Sequence, residues 1–225
     1  MSLFNTETVT CPACGTQKSA DVFYSINADR RPDLRAAVIA RTFQVETCGK
    51  CAEEFRIDPE FNYLDTDRGQ WIAVHPLTAA GHWETIVAEN QAAFDKSYGP
   101  GASEGGRDIG AGLTVRVVFG WAAFREKLAT AEAGLDDVEL ELLKIAILRR
   151  QDNAPLSDTV ELRLVDAAAG DLILCWLDAV ADEVVETMLV PKKAYDDIAA
   201  DGTGWAALRA DLVANAYVDM QRLMT

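Results

Sequence analysis

Cys11, Cys14, Cys48 and Cys51 form two Cys-x-x-Cys pairs. A two-residue gap lets the backbone turn in a tight knuckle that points both sulfurs at one ion. Two facing knuckles supply four thiolates, which suits a structural zinc with no open coordination position. Iron is the other ion that four thiolates accept. A thioredoxin-type redox pair needs one Cys-x-x-Cys at a helix N-terminus, where the dipole lowers the thiol pKa. Both pairs here lie between strand-like stretches and come as a set. One structural zinc on Cys11, Cys14, Cys48 and Cys51 is therefore the expected cofactor.

The other residues that could do chemistry have simpler readings. A catalytic zinc wants histidine or water in an open position, and the chain has only two histidines, His75 and His82, with Glu84 nearby. His75 reads as a strand-end residue and His82 as a helix-end residue. Cys175 lies alone in an apolar run and reads as a buried thiol. Residues 99–106 are rich in glycine but carry no Gly-Lys-Ser/Thr, so they read as a flexible linker or lid, not as a phosphate loop. Asp136, Asp137, Glu139 and Glu141 resemble paired carboxylates, yet acids at a helix start need no catalytic role. No catalytic residue is nominated.

The elements around the cysteines follow from periodicity. Thr6–Thr10 and Ala20–Asn27 are β-prone and flank the first knuckle. Asp29 is placed to cap a helix that begins near Arg31-Pro32, with Pro32 in its first turn and Leu34, Val38 and Ile39 on one face. Phe43–Thr47 and Ala52–Ile57 flank the second knuckle. The 33 residues between the knuckles exceed the roughly 15–20 of a simple ribbon. Phe61–Asp65 and Gln70–His75 are further strands, and Pro76–Gly81 is a hinge. Helices are expected over 82–98, 121–133 and about 137–150, and 113–119, between the first two, reads as a strand or an extended lead-in. Strands follow at 160–165, 172–177 and 184–190, then helices over 191–200 and 205–224.

This pattern is α+β. It reads as a small zinc-ribbon-like β domain with an inserted helix over residues 1–80, then a larger, helix-rich α+β domain over 81–225. Hydrophobic residues make up 49% and charged residues 25%, ordinary values for a globular protein. No apolar run is long enough to span a membrane, and the first residues carry no secretory pattern, so a cytoplasmic location is expected. The net charge is −15, with 8 Lys/Arg against 11 Asp/Glu in the first 80 residues and 13 against 25 in the rest. So acidic a surface repels phosphate backbones and counts against nucleic acid as the main partner.

Thr8-Val9-Thr10-Cys11-Pro12-Ala13-Cys14-Gly15, then Ser25-Ile26-Asn27, a leucine-containing helix, the second Cys-x-x-Cys, and Asp58-Pro59-x-Phe61-x-Tyr63-x-Asp65 together resemble the CpXC domain family. The resemblance covers roughly residues 5–75 and, more loosely, the acidic helical part that follows. It implies a bacterial or archaeal protein presumed to bind zinc through four cysteines, and implies no activity. Gly49 stands where Pro12 stands in the first knuckle, and Ala52 where Gly15 does, which leaves the shape of the second turn open.

The leading expectation is a binding or scaffold module for a partner protein, held together by zinc. Two others stand beside it. One is a nucleic-acid-associated ribbon using the arginines from Arg30 to Arg41. The other is an enzyme with a site between the domains, for which no nucleophile or base can be named.

Overall fold

The computed structural model describes residues 2–223 apart from 152, 156 and 158. Five strands form the main sheet, in the order β1 (Leu3–Thr10), β2 (Gln17–Asn27), β5 (Phe61–Asp65), β6 (Gln70–His75) and β7 (Thr114–Phe119). β1 and β2 are an antiparallel hairpin, β5 and β6 another, and the hairpins join through parallel pairing of Ser25–Asn27 with Asn62–Leu64. The link from β2 to β5 carries α1 (Pro32–Ile39) and a small hairpin of β3 (Val45–Thr47) and β4 (Glu54–Arg56). The link from β6 to β7 carries α2 (Trp83–Tyr98) and α3 (Glu104–Gly110).

β6 is buried from Gln70 to Val74, and its period-two alternation feeds two cores. Ile72 and Val74 point, with Ile26, Phe61, Tyr63 and Val118, towards α1 and α4 (Gly120–Glu132). Trp71 and Ala73 point the other way, with Val117 and Phe119, towards Val87 and Phe94 of α2 and towards Ala216 and Tyr217. The first core is aromatic: the Phe124 ring lies 5.3 Å from Phe61 and 5.2 Å from Tyr63.

The boundary expected near residue 80 runs through this sheet. β6 precedes it, β7 follows it, and the two pair in parallel from Gln70–Thr114 to His75–Phe119. The first cysteine-bearing hairpin, β1–β2, thus shares a sheet and a core with residues beyond 80, while the second, β3–β4, is a separate two-stranded sheet. The stretch expected as a hinge is a short 3-10 turn, Leu77–His82.

The remaining sheet is antiparallel, in the order β10 (Glu183–Pro191), β9 (Asp171–Asp178), β8 (Val160–Ala168). Leu162, Leu164, Leu172, Leu174 and Trp176 pack against Leu140 and Leu143 of α5 (Asp137–Leu148) and Tyr195 of α6 (Lys192–Ala200). Asp136 caps α5 by accepting from the Val138 and Glu139 N–H groups. α5 is more enclosed than its apolar stripe implies: Leu140, Glu141, Leu142, Leu143 and Lys144 are all buried. Val138 and Leu142 face Leu212 of α7 (Ala206–Val213) and Val218 on its other side.

Four local expectations change. Asp29 does not cap α1; its carboxylate accepts from the Thr66 N–H and hydroxyl, tying α1 to the β5–β6 turn. Ile39 points outwards and is half exposed. The glycine-rich stretch is partly helix: Ser103 caps α3 through the Gly106 N–H, and a Cβ at Gly106 or Gly110 would strike the Ser97 or Tyr98 carbonyl of α2. These glycines permit close packing. The last helix stops at Val213 instead of running towards Met224, which lies outside the described residues. Residues 214–219 leave it to cover the main sheet, and the Val117 N–H donates to the Ala216 carbonyl.

Candidate metal centre

Each cysteine pair sits at the end of a hairpin. The first knuckle joins β1 to β2, and the second joins β3 to β4. The Gly15 N–H donates to the Cys11 carbonyl at 2.9 Å, and the Ala52 N–H to the Cys48 carbonyl at 3.0 Å. The chain then closes with Cys11 N–H to the Thr16 carbonyl in one turn and Cys48 N–H to the Glu53 carbonyl in the other. Gly15 has φ +68° and Ala52 has φ +59°. The two turns therefore share one conformation, although the second has alanine where the left-handed backbone favours glycine.

The four sulfurs lie within 4.8 Å of one another. Cys11 Sγ is 3.7 Å from Cys51 Sγ, and Cys14 Sγ is 3.6 Å from Cys48 Sγ. A disulfide needs about 2.05 Å, so neither pair is bonded. A regular tetrahedron of sulfurs at the ~2.3 Å zinc–sulfur distance has edges of about 3.8 Å. The arrangement fits a four-thiolate metal site. Cys11 and Cys48 are buried, Cys14 is half-buried and Cys51 lies at the exposed rim.

The thiols differ in their surroundings. Backbone N–H groups of Cys51 and Lys50 aimed at Cys48 lower its pKa to about 6. The Thr16 hydroxyl and N–H lower that of Cys14. Cys51 is pulled down by the Glu53 N–H, but crowding by Cys14, burial, and the Cys48 and Cys11 thiols together carry it up to about 12. Four sulfurs this close cannot all hold negative charge without a cation, and a divalent ion bound among them would supply the missing attraction.

A model of CpXC proteins matches residues 9–144. The chain belongs to the CpXC family. The match begins just before the first knuckle and ends inside α5, so it takes in all four cysteines, β7 and α4. No curated protein and no solved structure matches the chain.

The structure also places the other candidates of this CpXC protein. His75 is half-buried between the Asn90 amide, 2.9 Å from its Nε2, and the Phe119 ring, and burial lowers its pKa. His82 is exposed at the start of α2. Among the described residues, only the four cysteines form a group able to hold a metal. The buried Cys175 thiol rests 3.3 Å from the Thr187 hydroxyl.

The arginines around α1 are largely engaged. Arg31 pairs with Asp33, Arg35 with Glu132 and Asp65, and Arg41 with Asp182, while Arg30 is exposed. Glu132 and Asp182 come from the acidic part of the chain beyond residue 80, so two of the four serve to dock it.

Sequence reasoning missed a buried ionic chain. Arg116 and Lys127 meet at Asp137, and Lys127 lies 3.9 Å from Glu141. Lys144 contacts both Glu141 and Glu126, and Arg163 joins Glu126, Glu161 and Asp219. The acids of α5 were visible in the sequence, but their partners come from β7, α4, β8 and the C-terminal segment. No spacing rule brings those together.

Proposed function

We propose that the four cysteines hold one structural zinc ion in a zinc-ribbon-like lobe, and that the protein is a cytoplasmic binding or scaffold module for a protein partner. The observation that carries the metal reading is the convergence of the four sulfurs within 4.8 Å, at 3.6 and 3.7 Å across the two knuckles. Four thiolates complete the coordination of zinc and leave no position for substrate, so the ion braces structure. It would join two hairpins whose strands are short or exposed: β3 and β4 have three residues each, and β1 is almost wholly exposed. The acidic surface, −15 overall, favours a partner with a basic face. It disfavours nucleic acid, as does the engagement of Arg35 and Arg41 within the chain.

Metal analysis of protein purified under reducing conditions tests this reading. One zinc per chain is expected, without the visible absorption of an iron–thiolate centre. A chelator lowers the melting temperature, and added zinc restores it. Cys48→Ser loses the metal, and a partner captured by the zinc-loaded protein escapes this variant. Protein that takes up no divalent ion after reconstitution, or whose stability ignores the chelator, overturns it.

A further inference from the structure

Away from the cysteines, three guanidinium groups share one carboxylate. Arg41 follows α1, Arg56 ends β4, and Arg125 lies on α4; all three contact Asp182, at the turn between β9 and β10. Arg41 also donates to the Asp182 carbonyl at 2.9 Å. The cluster carries two positive charges that Asp182 does not neutralise. The Nη1 of Arg125 is buried and has no hydrogen-bond partner among the described residues. Burial, with the Arg41 and Arg56 charges beside it, lowers the Arg125 pKa to about 10, the direction expected where an anion is wanting.

Two of these residues hold an unusual backbone. Arg41 has φ +61° and Asp182 φ +58°. Arg41 occupies the position after the α1 cap, where the Thr42 N–H reaches the Ala37 carbonyl and the Arg41 N–H the Val38 carbonyl. Glycine is usual in that motif. Residues kept in strained conformations cluster where a side chain is needed for function.

Arg41 and Arg125 stand on the wall of a cavity of about 220 Å³ between α1, α4 and β8. The space exceeds what one water needs and falls below the ~300–1,000 Å³ of drug-sized pockets. Ile39, Ala129, Val165 and Ala167 give the cavity its apolar surface, with the buried Leu128, Leu164 and Leu177 behind them. Arg163 on the same wall is already matched by Glu126, Glu161 and Asp219. Glu132 and Asp166 also reach the cavity, which disfavours a dianion.

We infer that this cavity binds a small organic acid, its carboxylate on Arg41 and Arg125 and its apolar body against Ile39, Ala129 and Val165. A guanidinium pairs a carboxylate through two parallel hydrogen bonds, and the apolar walls reward a hydrocarbon body that a bare ion lacks. Asp182 holds the arginines in place and competes with the ligand for them. The site does not rest on the metal reading.

Calorimetric titration of the full chain with hexanoate tests the inference, with hexanol and inorganic phosphate as the half-ligands. Saturable one-to-one binding of hexanoate is expected, with both half-ligands at least about tenfold weaker. Ala129→Phe, which fills the cavity and leaves the arginines, abolishes binding. Asp182→Asn, which removes the competing charge, tightens it several-fold, and Arg125→Gln weakens it about tenfold with the folded circular dichroism spectrum retained. Absence of saturation by hexanoate, equal binding of hexanol or phosphate, or an affinity unchanged in both Ala129→Phe and Asp182→Asn overturns the assignment.

Discussion

Lys144 Nζ on α5 lies 2.9 Å from Glu126 Oε2 on α4, and both side chains are wholly withdrawn from solvent. Glu126 also accepts from the Arg163 guanidinium at 2.8 Å and from the Leu164 N–H at 2.7 Å. One carboxylate thus binds two helices to β8 and satisfies a backbone donor that no strand meets. Burying charges is costly, and the cost is offset only while every partner remains. Glu126→Gln keeps the shape and removes the charge, leaving Lys144 and Arg163 short of a counter-ion. Urea denaturation is expected to show a loss of about 3–5 kcal/mol. A loss below about 1 kcal/mol would mean that water or relaxation screens the cluster.

The same cluster has a pH signature. Its four cations, Arg116, Lys127, Lys144 and Arg163, face five acids, Glu126, Asp137, Glu141, Glu161 and Asp219. The surplus falls on Glu141. Lys144 stands 2.8 Å from its Oε1, but off the hydrogen-bonding direction. Burial, reinforced by Asp219 and Glu126, raises its pKa from 4.5 to about 7. A raised carboxyl pKa means that the folded state binds the proton more tightly. This contribution is complete below pH 4.5 and is lost as pH rises through about 7. Asp219 runs the opposite way: matched chiefly by Arg163, it is held down at about 2, so its contribution is lost only as pH falls towards that value. Glu141→Gln has no proton to lose. Measured by denaturation at pH 5 and pH 8, its stability relative to the unaltered protein is expected to be higher at pH 8; an equal difference at both would show that Glu141 does not titrate between them.

Ala52 offers a test of the second knuckle. Its φ of +59° matches the +68° of Gly15 in the first. A left-handed alanine costs about 1–2 kcal/mol that glycine avoids, partly offset by the freer unfolded chain. Ala52→Gly is expected to raise stability by roughly 0.5–1 kcal/mol, and Gly15→Ala to lower it by a similar amount or more. Thermal melts of the metal-loaded protein measure both; a destabilised Ala52→Gly would show that the turn is not left-handed in solution.

A chain cut at residue 80 leaves β6 without β7, and leaves Phe61 and Tyr63 without Phe124. Residues 1–80 alone, even with zinc, are expected to show no cooperative thermal transition by circular dichroism. In the full chain, Phe124→Ala is expected to cost about 3–5 kcal/mol. A sharp melt of the fragment would establish the N-terminal lobe as an independent folding unit.

Much of the site was legible in the residues. Cys-x-x-Cys spacing is a local constraint, and a tight turn presents both sulfurs whatever the rest of the fold does. Pro32 in the first turn of α1 and the apolar run within Gln70–His75 likewise act within a few residues, so their elements stand where expected. Ile39 and Asp29 depart from the local pattern because their surroundings are set elsewhere in the chain: Ile39 stays half exposed, and Thr66 claims the Asp29 carboxylate.

The sequence by itself determined the four-sulfur ligand set, the order of most strands and helices, and the acidic charge. Only the tertiary structure decided that β7 crosses residue 80 into the first sheet, that five acids and four bases, seven of them buried, gather in one cluster, and that Arg41, Arg56 and Arg125 converge on Asp182. Local turns and periodicities are written over three to seven residues. Parallel pairing and buried ion pairs join residues dozens of positions apart, and the packing of the whole chain selects them.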